Sequence, residues 1–304
     1  MSEFRIIPSS KLDKLKYDRC ISGDVSSTSF VESWFMDATA GNWMVIADDD
    51  YKTVFPFSVR NKWGINYIYQ PFFNRMTGIY GEDKTGLENA ILGGLLNDYR
   101  FWDFYCECRL NNSDAVSSPR IYQSLSLKDT YELLYENYSS KMRRNLRLAE
   151  KENMEVRTAA VADDFVMQFR KYTAEKINVL KDADYERLQQ LTEKCMQQKN
   201  TIYIEAFSEK EKTAGALFTV TDFRILYIEG YSSPKGRTIR SMHVLFDHVI
   251  RKFAGSGRIL DFGGSNIESI AGFFHSFGAK DQSYFHVYRN KLPQFVKWLK
   301  EIRN

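Results

Sequence analysis

Four cysteines in 304 residues, Cys20, Cys106, Cys108 and Cys195, are too few and too scattered for a disulfide framework. Cys106 and Cys108 alternate in one strand-like run, and no second Cys or His pair completes a zinc site with them. The four histidines, His243, His248, His275 and His286, lack the spacing of a metal motif, so no metal is expected. No uncharged apolar run is long enough to span a membrane, and Met1-Ser2-Glu3-Phe4-Arg5 has no apolar core of the secretory type. The chain therefore reads as cytoplasmic, without a membrane span. A net charge of +3 is too mild to argue for nucleic-acid binding from the whole-chain balance. Neither a low-complexity segment nor a Gly/Ser linker separates independent modules. Gly263-Gly264-Ser265 lacks the G-x-G-x-x-G spacing of a dinucleotide site. Asp261-Phe262-Gly263 matches the kinase metal-binding tripeptide, but no H-R-D loop precedes it.

Hydrophobic residues, by contrast, make up 43% of the chain and aromatic residues 15%, enough for well-filled cores in about two domains. In the first half a helical pattern at Phe30–Ala38 precedes strand-like runs at Trp43–Ala47, Thr53–Val59 and Ile65–Gln70; a helix at Leu87–Tyr99 and a strand at Phe101–Cys108 follow. In the second half, helices at Asp163–Lys176 and Asp184–Gln197 precede strands at Thr201–Phe207, Thr213–Thr221 and Ile225–Tyr231. A helix at Ser241–Phe253 and a strand at Arg258–Phe262 close that set. The order helix, three-strand meander, helix, strand thus occurs twice. It predicts an α/β (α+β) chain of two tandem domains, each a mixed, mostly antiparallel sheet flanked by helices. The apolar periodicity breaks at Ser113–Ser126, which predicts a domain boundary there and domains of residues 1–118 and 119–304.

Three stretches carry candidate chemistry. In Ser140–Lys151, Lys141, Arg144, Arg147 and Lys151 fall three and four apart on one helix face with Arg143 beside it, a stripe suited to phosphate. Between a strand and a helix, Ser232–Arg240 forms a loop carrying Lys235, Arg237 and Arg240, whose charges either contact phosphate or are solvated. Alternation along Ile225–Tyr231 sends Tyr227, Glu229 and Tyr231 to one face. Acyl transfer to an amine needs a base, an oxyanion donor and an acid for the leaving atom. Glu229 fits the base, Tyr231, Tyr284 or Tyr288 the acid or orienting hydroxyl, and backbone N–H groups near Gly230 the oxyanion donor. At the C-terminal end of the strand Arg258–Phe262, where open α/β sheets bind ligands, Asp261 and Ser265 are placed to line a groove.

The stretch Asp261-Phe262-Gly263-Gly264 with its Phe273-Phe274-His275-Ser276-Phe277-Gly278-Ala279 exit, together with Arg143-Arg144-Asn145-Leu146-Arg147-Leu148-Ala149, resembles the signatures of the tandem GNAT-fold family that includes the Fem-type peptidoglycan aminoacyltransferases. The resemblance covers the C-terminal half well and the N-terminal half by arrangement only. It implies two GNAT-like domains and an acyltransferase that moves an acyl or aminoacyl group to an amine. The donor implied is acyl-CoA or aminoacyl-tRNA, and the acceptor a small molecule or cell-wall precursor, with Arg143 and Arg144 carried over as substrate-binding residues. Acetyl-CoA-dependent members hold pyrophosphate on a Q/R-x-x-G-x-G/A loop. Aligning Arg237 with its first position puts Arg240 and Met242 where small residues are needed, which argues against ordinary CoA binding. A non-catalytic module for a nucleotide or tRNA end, and an acetyl-CoA-dependent N-acetyltransferase, are the competing expectations.

Overall fold

The computed structural model describes residues 3–62, 64–173, 180–264 and 268–294. In chain order the first elements are β1 (Arg5–Pro8), α1 (Lys14–Gly23), α2 (Ser33–Thr39), β2 (Trp43–Ala47), β3 (Thr53–Lys62), β4 (Ile65–Tyr69), β5 (Tyr80–Gly81), α3 (Lys84–Ala90) and β6 (Phe101–Cys106). Next come β7 (Ala115–Ser126), α4 (Tyr131–Glu136), α5 (Ser140–Glu150), β8 (Glu155–Ala159), α6 (Phe165–Tyr172), α7 (Asp182–Gln197), β9 (Thr201–Ser208), β10 (Glu211–Val220) and β11 (Arg224–Ser232). The chain then forms α8 (Pro234–Ile239), α9 (Ser241–Phe253), β12 (Ile259–Asp261), α10 (Glu268–His275) and β13 (Lys280–Asn290).

Two compact units result: Met1–Arg120 with the described residues from Ser283 onward, and Ile121–Gln282. In the first unit the strands run β1-β2-β3-β4-β6-β13, antiparallel except for the parallel pair β4–β6. In the second they run β8-β9-β10-β11-β12-β7, antiparallel except for the parallel pair β11–β12. The expected mixed, mostly antiparallel sheet flanked by helices is present in both. In the last place of each sheet stands a strand from the far end of the chain's other segment. β13, the last strand in sequence, completes the first unit against β6, and β7, which precedes every other element of the second unit, completes the second against β12.

Most of Ser113–Ser126, where the apolar periodicity breaks, is strand β7, and the division between the two units falls within it. Its serines are small enough to sit inside, and Ser117 Oγ donates to Leu110 O and accepts from Leu110 N, both at 3.0 Å, so a polar sequence forms an ordered strand.

Each core follows from the period of its elements. Leu245, Phe246, Val249 and Ile250 recur on one face of α9 and bury against Ile204, Ala206, Ala214, Ala216 and Phe218, which alternate along β9 and β10. Phe246 is the hub, with the rings of Tyr227, Phe262, Phe218 and Phe273 centred 5.0 to 5.7 Å away. Removing its ring would cost about 3–5 kcal/mol. In the first unit Phe55, Phe57, Trp102 and Phe104 form the same kind of layer, and Val287 of β13 is fully buried among them.

Candidate functional site

The second unit's parallel pair sets the geometry. β11 and β12 are paired only at Arg224–Ile259, Ile225–Leu260 and Leu226–Asp261, after which β11 runs on to Ser232 while β12 ends. Chain leaving the C-terminal end of a parallel strand opens a crevice of the kind that binds ligands in α/β sheets. Gly263 and Gly264 both adopt positive φ as the chain turns away, and a Cβ on Gly264 would fall 2.5 Å from that of Tyr122, so only glycine fits there.

Beyond the last paired residue β11 departs from simple alternation. Leu217 faces Glu229 and Phe218 faces Tyr227, so Ile228 is an extra residue and the strand bulges. The bulge separates side chains that alternation would hold together. Tyr227 turns to the α9 side, against Phe218 at 5.4 Å and Phe246 at 5.0 Å. Glu229 and Tyr231 take the opposite face. The expectation that all three share a face is corrected by this one inserted residue.

Glu229 keeps only partial access to solvent. Burial pushes its carboxyl pKa up to about 8, against a smaller opposing pull from the Gly230 N–H. Among the described residues no cation is paired with it. A carboxylate in this state is poised to take and return a proton near neutral pH. Next to it, a Cβ on Gly230 would meet the Tyr227 hydroxyl at 2.6 Å and the Gly215 carbonyl at 2.8 Å, so only glycine lets the Tyr227 ring pack this closely on β11. Burial, reinforced by Glu229, also holds the Tyr227 hydroxyl in its neutral form.

Tyr231 is 2% exposed, and its hydroxyl lies 3.4 Å from that of Tyr203, which donates to Glu205 at 2.7 Å. Glu205 is in turn paired with Lys212, and Lys212 with Asp164 at 2.8 Å. Tyr231 thus closes an internal polar chain, and burial raises its pKa. Tyr284 belongs to the first unit, where its ring stands 5.6 Å from that of Tyr105. Asp261, expected to line the groove, is fully buried. It faces Arg224 at 3.5 Å and accepts the Gly263 N–H at 3.0 Å, so it holds the turn from inside. Ser265 lies outside the described residues.

The loop expected at Ser232–Arg240 is mostly a short helix, α8. Ser233 caps it by accepting the Gly236 N–H at 3.0 Å, and Pro234 occupies its first turn, where a missing N–H costs nothing. Gly236 packs so closely that a Cβ would fall 2.1 Å from Thr213 O. The N–H of Arg237 is bonded to Ser233 O as well, so these backbone donors are spent inside the protein. Lys235 turns away to Glu209 and Glu211, both at 3.2 Å, and the Arg237 guanidinium donates to Ser232 O.

Arg240 is the one cation of this segment that meets α5. It adopts φ +69°, and its Nε donates to Asn145 Oδ1 at 3.0 Å. Asn145, buried on α5, also places its amide nitrogen 3.3 Å from His243 Nε2. With the amide donating, the His243 proton sits on Nδ1. Burial, then Arg240, then Lys141 push the His243 pKa down to about 4, which keeps this imidazole neutral and marks the region as electropositive. On α5 itself Ser139 caps Met142, Leu146 and Ala149 pack inward, and Lys141, Arg144, Arg147 and Lys151 are exposed. None of these four is paired with a carboxylate among the described residues. Arg143 is half-buried and donates to Glu136 O at 3.2 Å. The sequence pattern locates the basic face, whereas the Asn145 bridge from α5 to Arg240 and His243, 95 and 98 residues away, has no signal in it.

Among the described residues no cluster of His, Cys, Asp and Glu suits a metal ion, and no helix is long and apolar enough to cross a membrane. No protein-family model and no curated protein matches the sequence. The fold, however, has clear counterparts. FemX superposes with a TM-score of 0.69 over 95% of this chain and 98% of its own, at 11% identity. The C-terminal domain assigned to a lysylphosphatidylglycerol synthetase of Agrobacterium fabrum gives 0.59 over 91% and 92%, at 12% identity. A tandem GNAT protein from the clavulanic acid biosynthesis pathway gives 0.52 over 96% and 100%, at 8% identity. At such identities the likeness is one of architecture, and it establishes the Fem-like, tandem GNAT-type α/β fold for this chain.

Proposed function

We propose that this chain is an acyltransferase that moves an acyl or aminoacyl group to an amine at the crevice beside β11, with Glu229 as the base. The observation that carries the reading is Glu229 itself: a carboxylate without a cationic partner among the described residues, held near pKa 8 by burial, on β11 beyond the last residue paired with β12. As a carboxylate it takes one proton from the acceptor's ammonium. The freed nitrogen lone pair attacks the acyl carbon, the bond from that carbon to the donor's oxygen or sulfur breaks, the leaving atom takes the proton back from Glu229, and the nitrogen gives its second proton to solvent to leave the neutral amide. The oxyanion donor assigned here is a backbone N–H of β11 beside Gly230, whose own N–H serves Glu229.

For the donor, aminoacyl-tRNA is favoured over acyl-CoA. Where a CoA pyrophosphate would need free backbone donors, α8 has bonded its own, while the exposed cations of α5 and the Arg143–Arg144 pair offer side-chain contacts to a phosphate backbone. The fold shared with FemX and with a lysylphosphatidylglycerol synthetase domain supports this direction. The acceptor is an amine of a small molecule or a cell-wall precursor.

The test is single-turnover transfer from charged tRNA and from acetyl-CoA to a panel of amines, read by mass spectrometry. Transfer from tRNA is expected, and Glu229→Gln is expected to lower it by about a hundredfold or more while donor binding is kept. Arg143→Ala with Arg144→Ala should weaken tRNA binding and flatten its salt dependence. Unchanged turnover in Glu229→Gln would remove the base assignment, and acetyl-CoA as the sole working donor would reverse the reading of α8.

A further inference from the structure

The first unit carries a polar cluster that the transfer chemistry does not use. Its sheet is buried on one face by Trp102, Phe104 and Val287. The register fixes what stands on the other: Tyr69, Asp103 and Tyr288 are adjacent across β4, β6 and β13, and Tyr105 lies beside His286 in the next row. Phe101, two residues before Asp103, shares this face, and its ring is centred 5.6 Å from that of Tyr288. Asp103 is therefore a carboxylate ringed by four aromatic side chains, Tyr69, Phe101, Tyr105 and Tyr288. Its side chain is 49% exposed, so the ring is open to solvent.

One carboxylate oxygen of Asp103 accepts from His286 Nε2 at 2.8 Å, and the His286 ring leans on Tyr105 at 5.1 Å. No described residue is bonded to the other oxygen. Aromatic faces carry negative potential, and a carboxylate set among them adds to it, so the missing complement is positive. The same face already seats one cation, since the Arg60 guanidinium stands 3.9 Å over the Tyr69 ring. An anion would meet only repulsion from Asp103, and a neutral ring would leave the free oxygen without a donor.

The geometry points to an ammonium-binding site on this face, in which a primary ammonium donates to the free Asp103 oxygen while its methylene stem lies against Tyr105 and Tyr288. The ligand class is a lysine-like side chain or an alkylamine. The site does not use Glu229 and does not depend on the transfer reading.

Titration of the full chain with Nα-acetyl-lysine methylamide, followed by calorimetry, tests it. Saturable binding is expected, at least tenfold tighter than that of the same probe acetylated on Nε, which keeps the shape and loses the charge. Asp103→Asn should weaken binding at least tenfold. Tyr288→Leu, at an exposed position where folding is not at stake, should weaken it severalfold. Glu229→Gln should bind as the unmodified chain does. Equal binding of the acetylated probe, wild-type affinity in Asp103→Asn, no saturable binding to the unmodified chain, or loss of binding in Glu229→Gln would each overturn the assignment.

Discussion

The two units use the same order of strand pairings, yet they treat the end of their parallel pair in opposite ways. In the second, β11 continues past its last contact with β12 and bulges at Ile228, so Glu229 lies beyond the paired residues. In the first, β4 stops at Tyr69 and the gap is closed. Gln70 accepts from Tyr105 N at 2.9 Å and donates to Asn74, while Thr77 joins β6 in a parallel bridge to Cys106 and bonds its N–H to Tyr105 O at 2.9 Å. One topology thus yields one strand that runs on beyond its parallel partner and one sealed edge. The difference lies in a few residues after the parallel pair, and a fold alone does not say which unit does chemistry.

The contrast can be broken most severely at the shared device, the exchanged final strand. Ending the chain after Gln282 removes the strand paired with β6 on that side and the buried Val287, so the first unit is expected to lose cooperative folding. Proton NMR should then show dispersed signals from the second unit only. Next in size is the chemistry at Glu229. Since Glu229 must be ionised to act, kcat/KM should rise with pH and level off above about pH 8, and that rise should vanish in Glu229→Gln. A rise governed by a pKa near 4.5 would mean that Glu229 is not the base. Reopening the sealed edge is a smaller change. Gln70→Ala leaves the Tyr105 N–H without its acceptor and should cost about 1–3 kcal/mol in denaturant unfolding, with transfer activity kept. The smallest effect is on stability against pH. A carboxyl whose pKa is raised on folding binds its proton more tightly in the native state, so its contribution falls as pH climbs from about 4.5 and is fully lost above about 8. Glu229→Gln should therefore melt a few degrees above the unmodified chain at pH 9, with the gap closing toward pH 4.

Much of this was legible in the sequence where burial imposes a period. Trp43–Ala47 and Ser241–Phe253 form the strand and the helix that their apolar spacing predicts, and Glu229 lies on the strand expected for it. The misreadings share one cause: local polarity does not report tertiary partners. Ser113–Ser126 has no apolar period from which to read a strand, yet Ser117 bonds inside β7 there. Ser232–Arg240 reads as a loop because Pro234 and Gly236 are loop residues, yet here one starts a helix and the other permits its close packing. The insertion at Ile228 is invisible because a bulge is defined by the partner strand. Asp103 and His286, 183 residues apart, meet only through the exchanged strand.

That exchange also sets an order of events during synthesis. The first unit is translated up to Arg120 and must then wait until Asn290 has left the ribosome before its sheet can close, an interval of about 170 residues. At roughly 5–20 residues per second this is on the order of ten to thirty seconds. The second unit has every strand in hand by Asp261. The half of the protein made first is therefore the half that matures last, and for that time the unpaired edge of β6 is a sticky surface for a chaperone or a neighbouring nascent chain to cover.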